Sequence, residues 1–164
     1  MADKTITERL QPSLLDRLTD LEPENKNETH DARVINLRRL RDIIRRDLAW
    51  LLNCNNLDTI IDEDEHPHVR KSVLNYGVRE VSGDFSTEKR AAEIRKSIHR
   101  AITLFEPRIK EGTLEILERK NKDGSQTIVE FDIRADMWAQ PLPMELYLRS
   151  QVDLTTGQLQ LESD

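Results

Sequence analysis

Apolar residues recur along this chain with two different periods. Leu37, Leu40, Ile44, Leu48 and Leu51 follow one another at steps of 3, 4, 4 and 3 residues. That is the stripe of a 3.6-residue helix, and it predicts a helix over 32–52 that ends at Asn53, Asn55 and Asn56. Ala91, Ile94, Ile98, Ala101, Ile102 and Phe105 form a second such stripe. Its helix begins at an N-cap, Ser86 or Thr87, and stops at Phe105, because Pro107 disfavours helix at Glu106. Ahead of both, residues 5–20 carry Leu14, Leu15 and Leu18 on one side and Arg9, Asp16 and Arg17 on the other. This predicts one or two turns of amphipathic helix opened near Pro12 and Ser13. Residues 21–30 have no periodicity and read as a flexible linker, so the leucine face docks either on this domain or on a partner. Residues 58–68 read as an acidic loop. Residues 69–77 fit helix and strand alike, and Gly77 breaks them.

Beyond residue 112 the period becomes 2. Leu114 and Ile116 begin a strand, and Lys122-Asp123-Gly124 reads as a turn. Val129, Phe131, Ile133, Ala135 and Met137 then alternate with Glu130, Asp132, Arg134 and Asp136. Pro141-Leu142-Pro143 connects to a strand with Leu146, Leu148, Val152 and Leu154, and Thr155-Thr156-Gly157 turns into a short last strand with Leu159 and Leu161. Helices first and an antiparallel meander after them predict an α+β domain, with the helices packed on one face of three or four strands. The charged face looks to water or to a partner, and an unpaired sheet edge is a template for an added strand. The chain divides into an N-terminal amphipathic segment and linker, 1–30, and one α+β domain, 31–164.

Composition narrows the function classes. Of 164 residues 37% are apolar and only 4% aromatic, so the core is aliphatic. The formal net charge is −6, which gives the whole chain no reason to seek nucleic acid or an anionic membrane. The single cysteine, Cys54, forms no internal disulfide and reads as a small buried hydrophobe of a reducing compartment. The N-terminus lacks the apolar stretch of a signal peptide and no run is long enough to span a bilayer, so the expected location is cytoplasmic.

Few residues suggest chemistry. His66 and His68 stand beside Asp62, Glu63, Asp64 and Glu65, but nothing else has metal-ligand spacing, and a solvated acidic loop explains them. No carboxylate pair is singled out as a hydrolase would need, and no G-x-S-x-G, Walker A or G-x-G-x-x-G motif occurs. Neither a cofactor nor a catalytic residue is expected. Arg33, Arg38, Arg39, Arg41, Arg45 and Arg46 surround the first long helix with Asp31, Asp42 and Asp47 between them, which suits a solvated face or an acidic protein. Nucleic acid is the weaker alternative, since the aromatic platforms of single-strand binders are missing. Phe105-Glu106-Pro107-Arg108 places a charged pair at a helix end with proline fixing the exit. Arg108 is suited to fork onto a carboxylate, or both charges are simply solvated at a helix stop; the residues alone leave both readings open.

Four segments in this order resemble the TssE family of type VI secretion baseplate proteins. They are Pro12-Ser13-Leu14-Leu15-Asp16-Arg17-Leu18, the arginine-rich helix ending Asp47-Leu48-Ala49-Trp50-Leu51-Leu52-Asn53, Ser72-Val73-Leu74-Asn75-Tyr76-Gly77, and Phe105-Glu106-Pro107-Arg108. The end through Asp153-Leu154-Thr155-Thr156-Gly157 also fits. The wider family includes a small baseplate wedge protein of contractile phage tails, often labelled lysozyme-like. One departure is local: members often carry Leu-Pro-Asp-Leu after Asn-Tyr-Gly, where this chain has Val78-Arg79-Glu80-Val81.

The resemblance implies a structural, non-catalytic role. Such proteins sit in wedges with TssF and TssG, with TssK nearby. They resemble the strand-exchanging part of the sheath subunits TssB and TssC, which implies a platform for the first sheath ring. It places the wedge and sheath contact on Glu106, Pro107 and Arg108, and the leucine face, Leu14, Leu15 and Leu18, is the expected second contact with a wedge partner. The family's label leaves a peptidoglycan hydrolase as the enzymatic alternative.

Overall fold

The computed structural model describes residues 13–20, 23–24, 37–62, 64–80, 87–119, 127–138 and 144–163. The expected linker, the turn at Lys122-Asp123-Gly124, the Pro141-Leu142-Pro143 connection and the N-cap Ser86 lie outside them, apart from residues 23–24 of the linker. The helices are α1 (Leu14–Leu18), α2 (Leu37–Leu52) and α3 (Thr87–Phe105), and the strands are β1 (Glu115–Arg119), β2 (Ile128–Met137), β3 (Met144–Asp153) and β4 (Leu159–Ser163). The strands form one antiparallel sheet in the order β1-β2-β3-β4. The expected α+β architecture is what forms.

The core lies between α2, α3 and one face of the sheet. Alternation puts Val129, Phe131, Ile133, Ala135 and Met137 of β2 beside Leu146, Leu148 and Val152 of β3, all buried. Ile44, Leu48, Leu51 and Leu52 from α2 and Ile98, Ala101 and Ile102 from α3 complete it. Two details depart from the expected stripe. Ile43 and Leu52 are buried as well, so the buried face of α2 is wider than one residue per turn, whereas Leu37 at its start is half exposed. Ser150 takes an inward position of β3 and is fully buried, its hydroxyl donating to the Phe131 carbonyl at 3.2 Å.

Between α2 and α3 the chain is tied by backbone bonds rather than by a strand or a helix. The segment that fitted both elements forms two short 3-10 turns, Val69–Lys71 and Val73–Asn75. Val78 N donates to Cys54 O at 2.8 Å and Asn56 N to Val78 O at 2.9 Å, a parallel bridge just past the end of α2. Gly77 is forced there. Its φ is +118°, and a Cβ would lie 2.2 Å from the Cys54 carbonyl oxygen. Cys54 is exposed, contrary to the buried position expected from its apolar neighbours. It lies beyond the last helical residue, where its carbonyl is committed to Val78 and its side chain faces outward.

The register also fixes which backbone groups reach the sheet edges. Leu154 N donates to Thr127 O at 2.7 Å and Asp153 N to Gln158 O at 3.0 Å. Propagated through the alternating antiparallel ladder, this turns Ile116 and Glu118 of β1 and Leu159, Leu161 and Ser163 of β4 outward. Asn53 closes the first β4 position like a one-residue strand: Leu159 N donates to its Oδ1 and its Nδ2 donates to Leu159 O, both at 2.9 Å.

Gly77→Ala should cost about 3 kcal/mol, from left-handed strain together with overlap on backbone that has no room to yield. Gly157, with φ +72° and nothing within 4 Å of an added Cβ, carries the strain alone and should cost about 1–2 kcal/mol as Ala. Urea unfolding of the two variants compares them; equal losses would contradict the close approach at Cys54.

Candidate functional site

The helix exit at Glu106-Pro107-Arg108 is built against the usual preference. Negative charge is unfavourable at a helix C-terminus, and the last turn of α3 holds no basic residue. Arg108, two residues past Glu106, supplies the missing cation. Its Nε donates to Glu106 Oε1 at 2.6 Å, its Nη2 bonds Glu106 Oε2, and its backbone N donates to the same Oε1 at 3.1 Å. Pro107 has no N–H to satisfy at this corner. The chain then runs directly beside β2: Trp138 N donates to Arg108 O and Lys110 N to Asp136 O, both at 2.8 Å. The motif therefore joins α3 to the sheet.

Glu106 is only 5% exposed, so of the two readings left open for this pair the solvated one fails. The reason is the fork: a carboxylate leaves water when a guanidinium satisfies both of its oxygens. Pro107 is exposed and the Arg108 side chain is 29% exposed, so these two are what the motif shows to solvent.

The pairing continues. Arg108 Nη2 also donates to Asp47 Oδ2 at 2.8 Å, across to α2. Asp47 Oδ1 accepts from Arg46 Nε at 3.0 Å and Nη2 at 2.7 Å. Arg46 forks in turn onto Asp16 of α1, with Nη1 to Oδ1 at 2.6 Å and Nη2 to Oδ2 at 3.1 Å, while its guanidinium lies 4.8 Å from the Trp50 ring centroid. Glu106, Arg108, Asp47, Arg46 and Asp16 thus form one ion-pair chain, three carboxylates on two guanidiniums. Burial works against the charge of Arg108, but the bonds and charges of Glu106 and Asp47 outweigh it and raise its pKa. The hydrogen bond to Asp16 does the same for Arg46. Tyr76 nearby is pushed up by burial first, then by the charges of Cys54, Asp47 and Glu106.

This chain also decides how α1 sits. Its polar side, through Asp16, is what bonds to α2, and Leu14, Leu15 and Leu18 are exposed. The leucines were the visible feature of this segment, yet the docking residue on this domain is the aspartate. Exposed Trp50 lies under the Arg46 end of the ion-pair chain, and exposed Trp138 follows β2 beside Arg108. Neither tryptophan was expected at the site. Their signal would have been a large exposed aromatic next to arginine, a combination enriched at protein contacts.

Other candidates fall apart in space. His66 and His68 are exposed, and among the described residues no three His, Cys, Asp or Glu come together as a cation site. On α2, Arg45 and Arg46 bond Asp42, Asp47 and Asp16, and Arg38, Arg39 and Arg41 are exposed. No helix among the described residues is long and apolar enough to cross a membrane.

Asp16 is held below the ordinary 3.8 by its hydrogen bond from Arg46, with burial opposing and Ser13 adding to the shift. A depressed folded pKa means that the stabilisation is present above the unfolded value and lost as pH falls through the folded one. A helix of five residues does not hold itself. Amide protection at Arg17 and Thr19 should therefore vanish below the Asp16 pKa, and at neutral pH in Arg46→Ala, while β2 stays protected. Undiminished protection in Arg46→Ala would mean that something else holds α1.

Residues 38–142, more than half of the chain, match the protein family described as baseplate wedge protein gp25. The matched stretch contains every member of the ion-pair chain except Asp16. No curated protein and no solved structure matches the chain.

Proposed function

The chain belongs to the gp25 family of baseplate wedge proteins, and from that premise we propose that it is a non-catalytic structural subunit of a type VI secretion baseplate, working on the cytoplasmic side. In this reading residues 31–164 form the wedge-like unit and residues 1–30 an accessory arm. The unit joins the wedge proteins TssF and TssG, with TssK adjacent, to the sheath proteins TssB and TssC, and supports the start of sheath polymerisation.

One observation carries the reading beyond family membership. Arg108 is fixed by Glu106 and Asp47, yet its side chain is 29% exposed next to exposed Pro107 and Trp138. A pre-positioned arginine beside an aromatic loses little freedom on binding. Glu106, Pro107 and Arg108 are thus the proposed wedge contact, with Pro107 and Arg108 touching the partner and Glu106 setting the geometry. Leu14, Leu15 and Leu18 supply a second contact.

The sheath contact is proposed at the outer edge of β1. At β4 the first edge position is already taken, because Asn53 bonds both backbone groups of Leu159. At β1 the outward groups of Ile116 and Glu118 would continue the ladder into a sheath strand.

Co-purification from the native cells tests both contacts. Arg108→Ala should reduce TssF and TssG about tenfold or more relative to the unaltered chain, as loss of a central interface arginine does. Glu118→Pro, which removes an outward N–H that the protein's own sheet does not use, should keep the wedge proteins and lose TssB and TssC. Unchanged recovery in a variant would remove the contact it probes. Recovery of no baseplate or sheath protein with the unaltered chain would defeat the proposal itself.

A further inference from the structure

The segment Ser72–Gly77 takes no part in the contacts proposed above, and it is fastened at Ser72, Asn75, Tyr76 and Gly77. Asn75 is 2% exposed with its amide fully used. Its Nδ2 donates to Asp58 Oδ1 at 2.7 Å and to Arg70 O at 3.0 Å, and its Oδ1 accepts from Leu57 N at 2.8 Å. Asp58 is itself buried against Arg100 of α3, which bonds both the carboxylate and the Arg70 carbonyl. Ser72 Oγ donates to Val69 O at 2.8 Å and accepts from Leu74 N at 3.3 Å. Tyr76 meets Phe105 edge-on with ring centroids 5.3 Å apart, and Gly77 lies against the Cys54 carbonyl.

Such a segment has no freedom to fold its own apolar side chains inward. Val73 is 78% exposed and Leu74 69%. Ile60, 79% exposed, is carried on the same framework, since Ile60 N donates to Leu57 O and Leu57 N to Asn75 Oδ1, both at 2.8 Å. Each of these side chains forgoes most of the stabilisation that burial would bring. Buried polar anchors that hold apolar groups in water do nothing for the core. They are what a preformed contact requires, because the ordering entropy is met at folding rather than at binding.

Among the described residues of the preceding turns, exposed carboxylates outnumber exposed cations. The next turn, closed by His66 N on Asp62 O at 3.0 Å, shows Asp62, Asp64 and Glu65 to solvent. Lys71 is exposed, and Arg70 lies 3.7 Å from Asp58. We infer that Ile60, Val73 and Leu74 form a preformed apolar knob that docks into a partner protein through an apolar pocket rimmed by lysine or arginine. This contact needs no residue of the ion-pair chain and stands apart from the baseplate proposal.

The test places a photo-reactive benzophenone residue at position 73 of the full chain in its own cells, with and without Leu74→Asp, and maps the joined peptides. The expected product is one partner protein, joined at an apolar stretch with Lys or Arg beside it, and Leu74→Asp lowers its yield about tenfold. The purified Leu74→Asp chain should keep its Tm within a few degrees, as an exposed change does. A product with a second copy of this chain, a product with lipid, no discrete product, or a yield indifferent to Leu74→Asp would each overturn the inference. So would a large fall in Tm, which would mean that Leu74 packs inward. A partner of the expected chemistry that lies outside the baseplate would uphold the knob and defeat the baseplate proposal. Loss of the product with wedge proteins still co-purifying would do the reverse.

Discussion

A carboxylate removed from water at the C-terminal end of a helix has both solvation and the helix dipole against it. Glu106 is in that position, and Arg108 is what allows it. Because the fork also reaches Asp47, one guanidinium ties the end of α3 to the middle of α2. The Arg108 carbonyl meanwhile accepts from Trp138 and fastens the end of β2. Three elements that the aliphatic core merely stacks are held in one alignment here. Dispersion and burial set how tightly layers pack, but they are nearly indifferent to a small slide of a helix along a sheet; paired charges with directional bonds are not.

From that joint the rest follows outward. Asp47 passes the pairing to Arg46, and Arg46 holds α1 by Asp16 with its leucines turned away. On the other side of α2, Asn53 carries the helix end onto β4, and Gly77 allows the return of the chain beside Cys54. Apolar burial thus gives the layers, and a few side chains with fixed hydrogen-bond partners give their alignment. The chain belongs to the family of baseplate wedge proteins gp25, and an aligned unit suits contact with other baseplate components.

The layers were legible in the sequence because they depend on period. The 3.6-residue stripes of α2 and α3 and the alternation of β2 place most of the core residues, and the change of period near residue 112 announces the α+β order. The joints were not legible, because each depends on a partner far along the chain. Glu106 and Arg108 read as paired or as solvated alike from their own neighbours, and Asp47, 61 residues from Arg108, is the partner that local sequence does not show. Asn53 and Leu159 are 106 apart. Ser150 interrupts an apolar alternation that its buried hydroxyl in fact continues. On α1 the three leucines carry the visible pattern, while the docking residue on this domain is the aspartate between them. Apolar neighbours in sequence do not bury Cys54, because the helix has ended before it.

A double-mutant cycle on folding stability, with Asp47→Ala, Arg108→Ala and the pair together in urea unfolding, tests whether the ion-pair chain acts as one joint. If Arg108 couples α2 to the exit of α3, the double variant loses about 1–3 kcal/mol less than the sum of the single losses. A coupling below about 0.5 kcal/mol, the level of independent sites, would contradict the account and leave the alignment to core packing alone.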